Sequence, residues 1–277
     1  MKYRCFKLQK KQNGRGGDYW RDVDILEHLE LTAYQTSYNY VLRTFRPPIA
    51  VLEAGCGLGR WAIALSQKQY QVTGIEIERE AVDIIKQHYS SENLNIVQGD
   101  ILDMPFPDHY FDLVLSLGVL EHFEDIGVQG KAITEHLRVL KNEGVFLVTV
   151  PYFSLIRLIL HLPYTWLLTI VRKLKGKEQH FSEFRYGLNA FKSILVRNHL
   201  RVIDVIWDDL LPPYSFGLTI DCPLKRITRS GDGVQYKLNA VGRVIHKILW
   251  NVHPALVSGG IGFVCKKRMP FKEAPLT

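Results

Sequence analysis

The chain has 277 residues, 47% of them hydrophobic and 23% charged, a composition that suits one globular domain with additions or two small ones and excludes disordered and collagen-like classes. Four cysteines, Cys5, Cys56, Cys222 and Cys265, form no C-x-x-C pair and no Cys/His cluster. Neither a disulfide framework nor a zinc site is indicated, no metal ligand is assigned, and a reducing cytoplasm is the expected compartment. The net charge of +7 is split unevenly, with 16 Lys and Arg against 20 Asp and Glu in residues 1–150 and 19 against 8 in residues 151–277. Basic surface attracts phosphate-bearing polymers or anionic lipid headgroups, or is simply a solvated face.

Met1 to Lys11 is basic and lacks the apolar core of a secretory signal, which points to an intracellular chain. From Asp22 to Arg46 the residues Ile25, Leu26, Leu29, Ala33, Tyr38, Val41, Leu42 and Phe45 recur at helical spacing up to Pro47-Pro48, predicting one or two leading helices. The chain then alternates. Strands are expected at 49–53, 71–76, 94–97, 111–117 and 144–150, with helices at 60–69, 79–89 and 131–140, and the rhythm resumes with a helix at 188–198 and strands at 201–207 and 260–265. Strands separated by helical stretches mean a parallel sheet covered on both faces. The expected organisation is a helical cap (1–48), a ligand-binding core (49–151), an apolar and basic insertion (152–187), the core continued (188–207), a second insertion (208–258) and a last strand with tail (259–277).

The sharpest segment is Val51-Leu52-Glu53-Ala54-Gly55-Cys56-Gly57-Leu58-Gly59-Arg60, a strand opening into a glycine turn before a helix. Glycine lets backbone approach a ligand closely and tolerates positive φ. The spacing is G-x-G-x-G, and the glycine that a dinucleotide fingerprint needs next is replaced by Arg60, which weakens a nicotinamide reading. Glu76 ends the second strand 21 residues after Gly55, where a carboxylate accepts from both ribose hydroxyls, and Asp100 and Ile101 follow the third strand, where one accepts from an exocyclic amine and the other packs on a ring.

Glu-Ala-Gly-Cys-Gly-Leu-Gly (53–59), Val-Thr-Gly-Ile-Glu (72–76), Gln-Gly-Asp-Ile (98–101), Phe-Asp-Leu-Val-Leu-Ser-Leu-Gly-Val-Leu-Glu-His-Phe (111–123) and Leu-Lys-Asn-Glu-Gly-Val-Phe (140–146) occur in that order. Together they resemble the consecutive motifs of Rossmann-like (class I), S-adenosylmethionine-dependent methyltransferases, over residues 49–207 plus the last strand. The resemblance implies an α/β fold with a doubly wound seven-stranded sheet, its last strand antiparallel, here with helical insertions after strands 5 and 6. It implies S-adenosyl-L-methionine as cofactor, with Glu53, Gly55, Cys56, Gly57 and Gly59 at the methionine end, Glu76 at the ribose, Asp100 and Ile101 at the adenine, Leu117 near the sulfonium, and Ile77 also among the cofactor-binding residues.

Methyl transfer from a sulfonium is an in-line displacement that needs mainly alignment. Where a base is required, His122, after the fourth strand, is the first candidate; the competing role is a structural hydrogen bond that shapes the loop. Tyr19, Trp20, Tyr152, His180, Glu183 and Tyr186 are candidates for an acceptor pocket, with ordinary packing as the alternative.

Tyr152 to Val171 is twenty residues with one charge, Arg157, followed by Arg172, Lys173, Lys175 and Lys177. A membrane span there would strand the later core strands on the far side, so the segment is either an active-site lid or lies in the membrane surface. Lys237 to Trp250 reads as a basic amphipathic helix with Val241, Val244, Ile245, Ile248 and Leu249 on one side and Arg243 and Lys247 on another. The expected partners are a small-molecule or lipid-linked methyl acceptor and an anionic membrane surface at the inner face, or else the insertions form only a substrate cap. Nucleic acid is a disfavoured partner, since Ser116-Leu117-Gly118 stands where exocyclic-amine methyltransferases carry Asn/Asp-Pro-Pro-aromatic. A cofactor-binding scaffold without catalysis is a further alternative, and the sequence leaves the oligomeric state open.

Overall fold

The computed structural model describes residues 2–8, 25–155, 157–161, 179–220 and 224–268. Its elements in chain order begin with β1 (Lys2–Leu8), α1 (Ile25–Thr32), α2 (Thr36–Thr44), β2 (Ala50–Ala54) and α3 (Arg60–Ser66). They continue with β3 (Gln71–Glu76), α4 (Arg79–His88), β4 (Leu94–Gln98), β5 (Phe111–Leu117), α5 (Ile126–Val139) and β6 (Leu140–Pro151). The remainder are β7 (Gln179–Tyr186), α6 (Leu188–Arg197), β8 (Leu200–Asp208), three insertion helices α7 (Phe216–Thr219), α8 (Lys225–Thr228) and α9 (Ala240–Val252), and β9 (Gly260–Lys267).

The apolar runs of β2, β5 and β6 are buried on both faces, as central parallel strands with helices on either side must be. The seven-stranded sheet has the order β4-β3-β2-β5-β6-β9-β8. β9 runs antiparallel to both β6 and β8, while the other pairs are parallel, as the motif order implied. Strand order reverses between β2 and β5, so a crevice opens above their carboxyl ends, the place where ligands bind in open α/β sheets.

The leading segment departs from a purely helical cap. Lys2–Leu8 pairs antiparallel with Gln179–Tyr186 in a separate two-stranded ribbon. Lys2 and Arg4 lie over the rings of Phe184 and Phe181, so basic side chains of the first residues cover aromatic faces. α1 and α2 dock on the core through a buried polar chain. Gln35 Nε2 donates to Asp208 Oδ2 at 2.9 Å and Trp61 Nε1 donates to Gln35 Oε1 at 3.1 Å, joining the leading helices, α3 and the end of β8.

Both insertions are rooted at the edge formed by β6, β8 and β9. Arg157, 1% exposed, donates to the carbonyls of Tyr152, Gly259, Phe216 and Ile220. The lone charge of the apolar stretch is therefore an internal strap between the two insertions. A short π-helical turn covers Arg157–His161; Ile156, residues 162–171 and the basic cluster at 172–177 lie outside the described residues. No helix among the described residues is long and apolar enough to cross a membrane.

Candidate cofactor and acceptor site

Above the β2/β5 crevice the chain turns through Gly55, Gly57 and Gly59, whose φ angles of 73°, 54° and 67° lie in the left-handed region. A side chain is costly there. At Gly55 a Cβ would also stand 2.8 Å from Val119 Cγ2, in the loop after β5. The turn is fastened from beneath by Gly55 N and Cys56 N, both donating to the Ile75 carbonyl.

Glu76 closes β3 and is nearly buried. Its Oε2 accepts from Gly57 N at 2.8 Å, and its Oε1 accepts from Ile77 N and Glu78 N at 2.9 and 3.1 Å. One carboxylate thus braces the glycine turn and its own loop. Glu53, buried at the end of β2, accepts from Ala62 N of α3 at 2.7 Å. Burial pushes its carboxyl up to about 8, against the pull of the Ala62 hydrogen bond and of Arg60. Arg60 is itself pushed down by burial, with Glu53, Asp208 and Tyr236 opposing.

Asp100 is exposed in the turn after β4, its Oδ1 accepting from Leu102 N, and Ile101 beside it is buried. Ile77 is 59% exposed next to Glu76, and Leu117 is half-buried at the end of β5. Cys56 offers a ligand only backbone, because its side chain packs in the core below the turn and burial pushes the thiol well up. Glycine cradle, three carboxylates and flanking apolar side chains fit a ligand with hydroxyls, an ammonium group and a flat ring, which is the chemistry of an adenosyl amino acid.

His122 is exposed in the 3-10 turn Leu120–His122. Its Nδ1 lies 2.8 Å from the Ser182 carbonyl of β7. A carbonyl only accepts, so Nδ1 carries the proton and the neutral ring's Nε2 keeps its lone pair for a proton from elsewhere. Both roles weighed for this residue, loop shaping and proton acceptance, share one geometry.

The residue beside it was not singled out by motif reading. Glu121 is 3% exposed, its Oε2 has no hydrogen-bond partner, and burial pushes it up to about 8, with Glu183 adding to the rise. A Cβ on Gly118 at the strand tip would lie 3.4 Å from its Oε1. Glu183 is ion-paired with Arg185 at 3.1 Å close by. A glutamate between a leucine and a histidine reads as a surface acid; only the pairing of β7 against this turn buries it.

The acceptor candidates divide. Tyr186 is a core residue rather than a pocket wall, fully buried against Phe191, with its hydroxyl accepting from Gln129 Nε2 at 3.0 Å. Tyr152 is half-buried at the root of the first insertion, its ring edge-on to Trp207. Tyr19, Trp20 and the side chain of His180 lie outside the described residues.

A core of this strand order with a glycine cradle and carboxylates at its switch point is a Rossmann-like ligand-binding domain, and comparison with known proteins narrows the class. Residues 52–148 match the family model "Methyltransferase domain". The chain is 34% identical over 105 residues to the uncharacterized methyltransferase YcgJ of Bacillus subtilis, covering 37% of this chain and 40% of that protein. It is 35% identical over 101 residues to a fatty-acid O-methyltransferase of Mycolicibacterium smegmatis, covering 36% of each. A demethylmenaquinone methyltransferase of Staphylococcus epidermidis is 32% identical over 138 residues, covering 47% of this chain and 56% of that one. The chain thus spans a little over a third to just over half the length of these relatives.

Among solved structures, a chain of a Haloferax volcanii complex containing the Trm112 methyltransferase activator matches with a TM-score of 0.60 at 16% identity, covering 91% of this chain and 97% of that one. An S-adenosylmethionine-dependent methyltransferase of Methanosarcina mazei gives 0.56 at 16% identity, covering 83% and 98%. The [4+2]-cyclase SpnF gives 0.54 at 18% identity, covering 87% and 81%, so the likeness of fold alone does not fix a reaction. Residues 52–148 thus match a methyltransferase domain, and relatives that share this segment are named as S-adenosylmethionine-dependent methyltransferases.

Proposed function

We propose that this protein transfers a methyl group from S-adenosylmethionine to a small or lipid-linked acceptor, working at the cytoplasmic face of a membrane. The observation that carries the reading is the Gly55–Gly59 turn, with three left-handed glycines braced by Glu76, inside the segment that matches the methyltransferase model. When bound, S-adenosylmethionine supplies an electrophilic methyl carbon on a neutral leaving group.

In this reading Glu53 and the glycine turn hold the amino acid end, Glu76 the ribose, and Ile77, Asp100 and Ile101 the adenine, while Leu117 keeps water from the sulfonium. Held there, the cofactor would offer its methyl carbon to the acceptor's lone pair, with the carbon–sulfur electron pair leaving on a neutral thioether. Where the acceptor carries a proton, Nε2 of His122 takes it. Three relatives are named for fatty acid, demethylmenaquinone and ajmaline methylation, which supports an acceptor with a large apolar part. The surface placement is supported by the outward apolar residues Leu155 and Ile159 on the first insertion and Val244 and Ile248 on the second.

The test is sequential. S-adenosylhomocysteine should bind the full chain while NAD does not, and methyl label from S-adenosylmethionine should enter a cell extract in a product that partitions into organic solvent. No binding of S-adenosylhomocysteine ends the reading; label confined to the aqueous phase ends its lipid-linked part.

Glu53 gives the reading a pH signature. Its folded-state value of about 8 lies above the ordinary 4.5, so the folded protein holds a proton that an ammonium-bearing ligand must displace. Affinity for S-adenosylhomocysteine should therefore climb between about pH 6 and 8, by up to tenfold per unit, and level off above. Glu53→Gln should flatten that slope, as read by calorimetry in buffers of different ionisation heat. The same shift makes stability fall as pH rises from about 4.5 to 8, because the unfolded chain releases this proton first. A parent protein with a flat affinity profile would remove Glu53 from the ammonium.

A further inference from the structure

Away from the cofactor crevice, the second insertion carries a cavity of about 260 Å³ between the Leu211–Pro212 turn and α9. Arg243, His246, Lys247 and Trp250 of α9 line it. His246 is 1% exposed, neither ring nitrogen has a hydrogen-bond partner, and its ring stacks on Trp250 at 5.3 Å. An unpartnered polar group so deeply buried, facing a cavity, needs a partner from outside the chain, a water or a ligand. Burial pushes its imidazole down to about 4, so it is neutral and offers one donor and one acceptor.

The nearest carboxylate, Asp209, is 3.9 Å from His246 Nε2. Its oxygens are occupied by Leu210 N, Gly217 N and Ser215 Oγ, and burial pushes its carboxyl up to about 7, which limits the negative charge it presents. Arg243 and Lys247 are both exposed at the rim. Across residues 224–252, Lys225, Arg226, Arg229, Lys237, Arg243 and Lys247 stand against Asp232 alone, and Asp232 is already paired with Lys237. Next to the two rim cations on the helix circumference runs an outward stripe of Val241, Val244, Ile248 and Val252, each more than half exposed. Around the helix the pocket with its orphan imidazole is followed by the rim cations and then by the apolar stripe, so a headgroup in the pocket and acyl chains along the stripe meet at the cations.

We infer that this cavity binds the phosphate of an anionic phospholipid headgroup, held by Arg243, Lys247 and His246, while the Val241–Val252 stripe of α9 seats in the adjoining acyl boundary. The inference rests on the membrane-surface part of the proposed function and is independent of methyl transfer. Charge complementarity selects the occupant: Arg243 Nη1 donates to the Leu238 carbonyl at 3.1 Å but its charge, like that of Lys247, meets no carboxylate among the described residues, so a neutral apolar ligand would leave two charges and the imidazole unanswered, and an acidic protein would not need the stripe.

The test uses the full chain and vesicles of phosphatidylcholine with or without phosphatidylglycerol. The parent should pellet with the anionic vesicles only. Arg243→Ala with Lys247→Ala should cut that partition roughly thirtyfold, since each basic residue near an anionic surface contributes about fivefold. Asn251→Trp, which fills the cavity from its exposed rim, should weaken pelleting and abolish the Trp250 fluorescence response to glycerol 3-phosphate, with Trp250→Phe as the control. Val244→Ser with Ile248→Ser should lose the vesicles but keep that response. Pelleting untouched by the cation pair and by Asn251→Trp overturns the headgroup site. A fluorescence response to inorganic phosphate and glycerol 3-phosphate without any pelleting makes it a free-anion site and overturns the lipid assignment. S-adenosylhomocysteine binding in every variant reports folding; its absence in a parent that still pellets would sink methyl transfer and leave this inference standing.

Discussion

Glu76→Ala is expected to weaken S-adenosylhomocysteine binding by roughly a hundredfold while the chain stays folded, because the substitution deletes the only buried carboxylate at the end of β3 and a charge-assisted hydrogen bond is worth about 1.5–3 kcal/mol. The carboxylate already accepts from Gly57, Ile77 and Glu78, so a ribose hydroxyl and the glycine turn share one group. Its loss removes both the grip on the sugar and the brace that holds the cradle open. Gly57→Val is expected to act at least as strongly by another route. At φ 54° a β-branched side chain is strained by about 1–2 kcal/mol or more, and it stands in the space the ligand backbone must enter. Calorimetric titration with S-adenosylhomocysteine, beside thermal melting of the free proteins, reads both. Parent-like affinity in either folded variant would dissociate this loop from the cofactor.

The parts of the site that could be read from residues are those fixed locally. Apolar runs define β2, β3 and β5; the glycines state their own backbone requirement; Glu76 and Asp100 fall at strand ends, where side chains reach the crevice. What stayed hidden depends on contacts between distant segments. β1 was invisible because Lys2–Leu8 has no meaning as a strand until Gln179–Tyr186 lies beside it. The same ribbon turned Glu121 from an apparent surface acid into a buried one and Tyr186 from a pocket candidate into core.

α9 shows how periodicity can find a helix and its apolar side without saying which part of that side is buried. Apolar spacing put Val241, Val244, Ile245, Ile248 and Leu249 together, yet Ile245 and Leu249 pack on the insertion's small core while Val241, Val244 and Ile248 point outward. The rotation is set by Gly242, whose missing side chain lets the Thr228 carbonyl approach to where a Cβ would be 2.3 Å away. A close backbone approach outweighed the wider apolar stripe, and it is this rotation that brings His246 under cover and leaves Arg243 and Lys247 at the cavity rim.

Arg157→Met is expected to cost about 3–5 kcal/mol, the range for leaving buried polar partners without their charged donor. Methionine conserves much of the volume, so the effect reads the lost hydrogen bonds rather than a void. Four carbonyls, from Tyr152, Phe216, Ile220 and Gly259, lose a donor at once, and they belong to the end of β6, the second insertion and the start of β9. Against a domain stability of about 5–15 kcal/mol, that is a large share, and it falls on the joint between the two insertions. Urea unfolding should show a lowered midpoint, and limited proteolysis should cut between residues 208 and 259 faster than in the parent. S-adenosylhomocysteine binding should change little, since Gly55–Gly59 and Glu76 lie across the sheet from this strap. An unchanged midpoint with unchanged cleavage would mean that the arginine fills space there and fastens nothing.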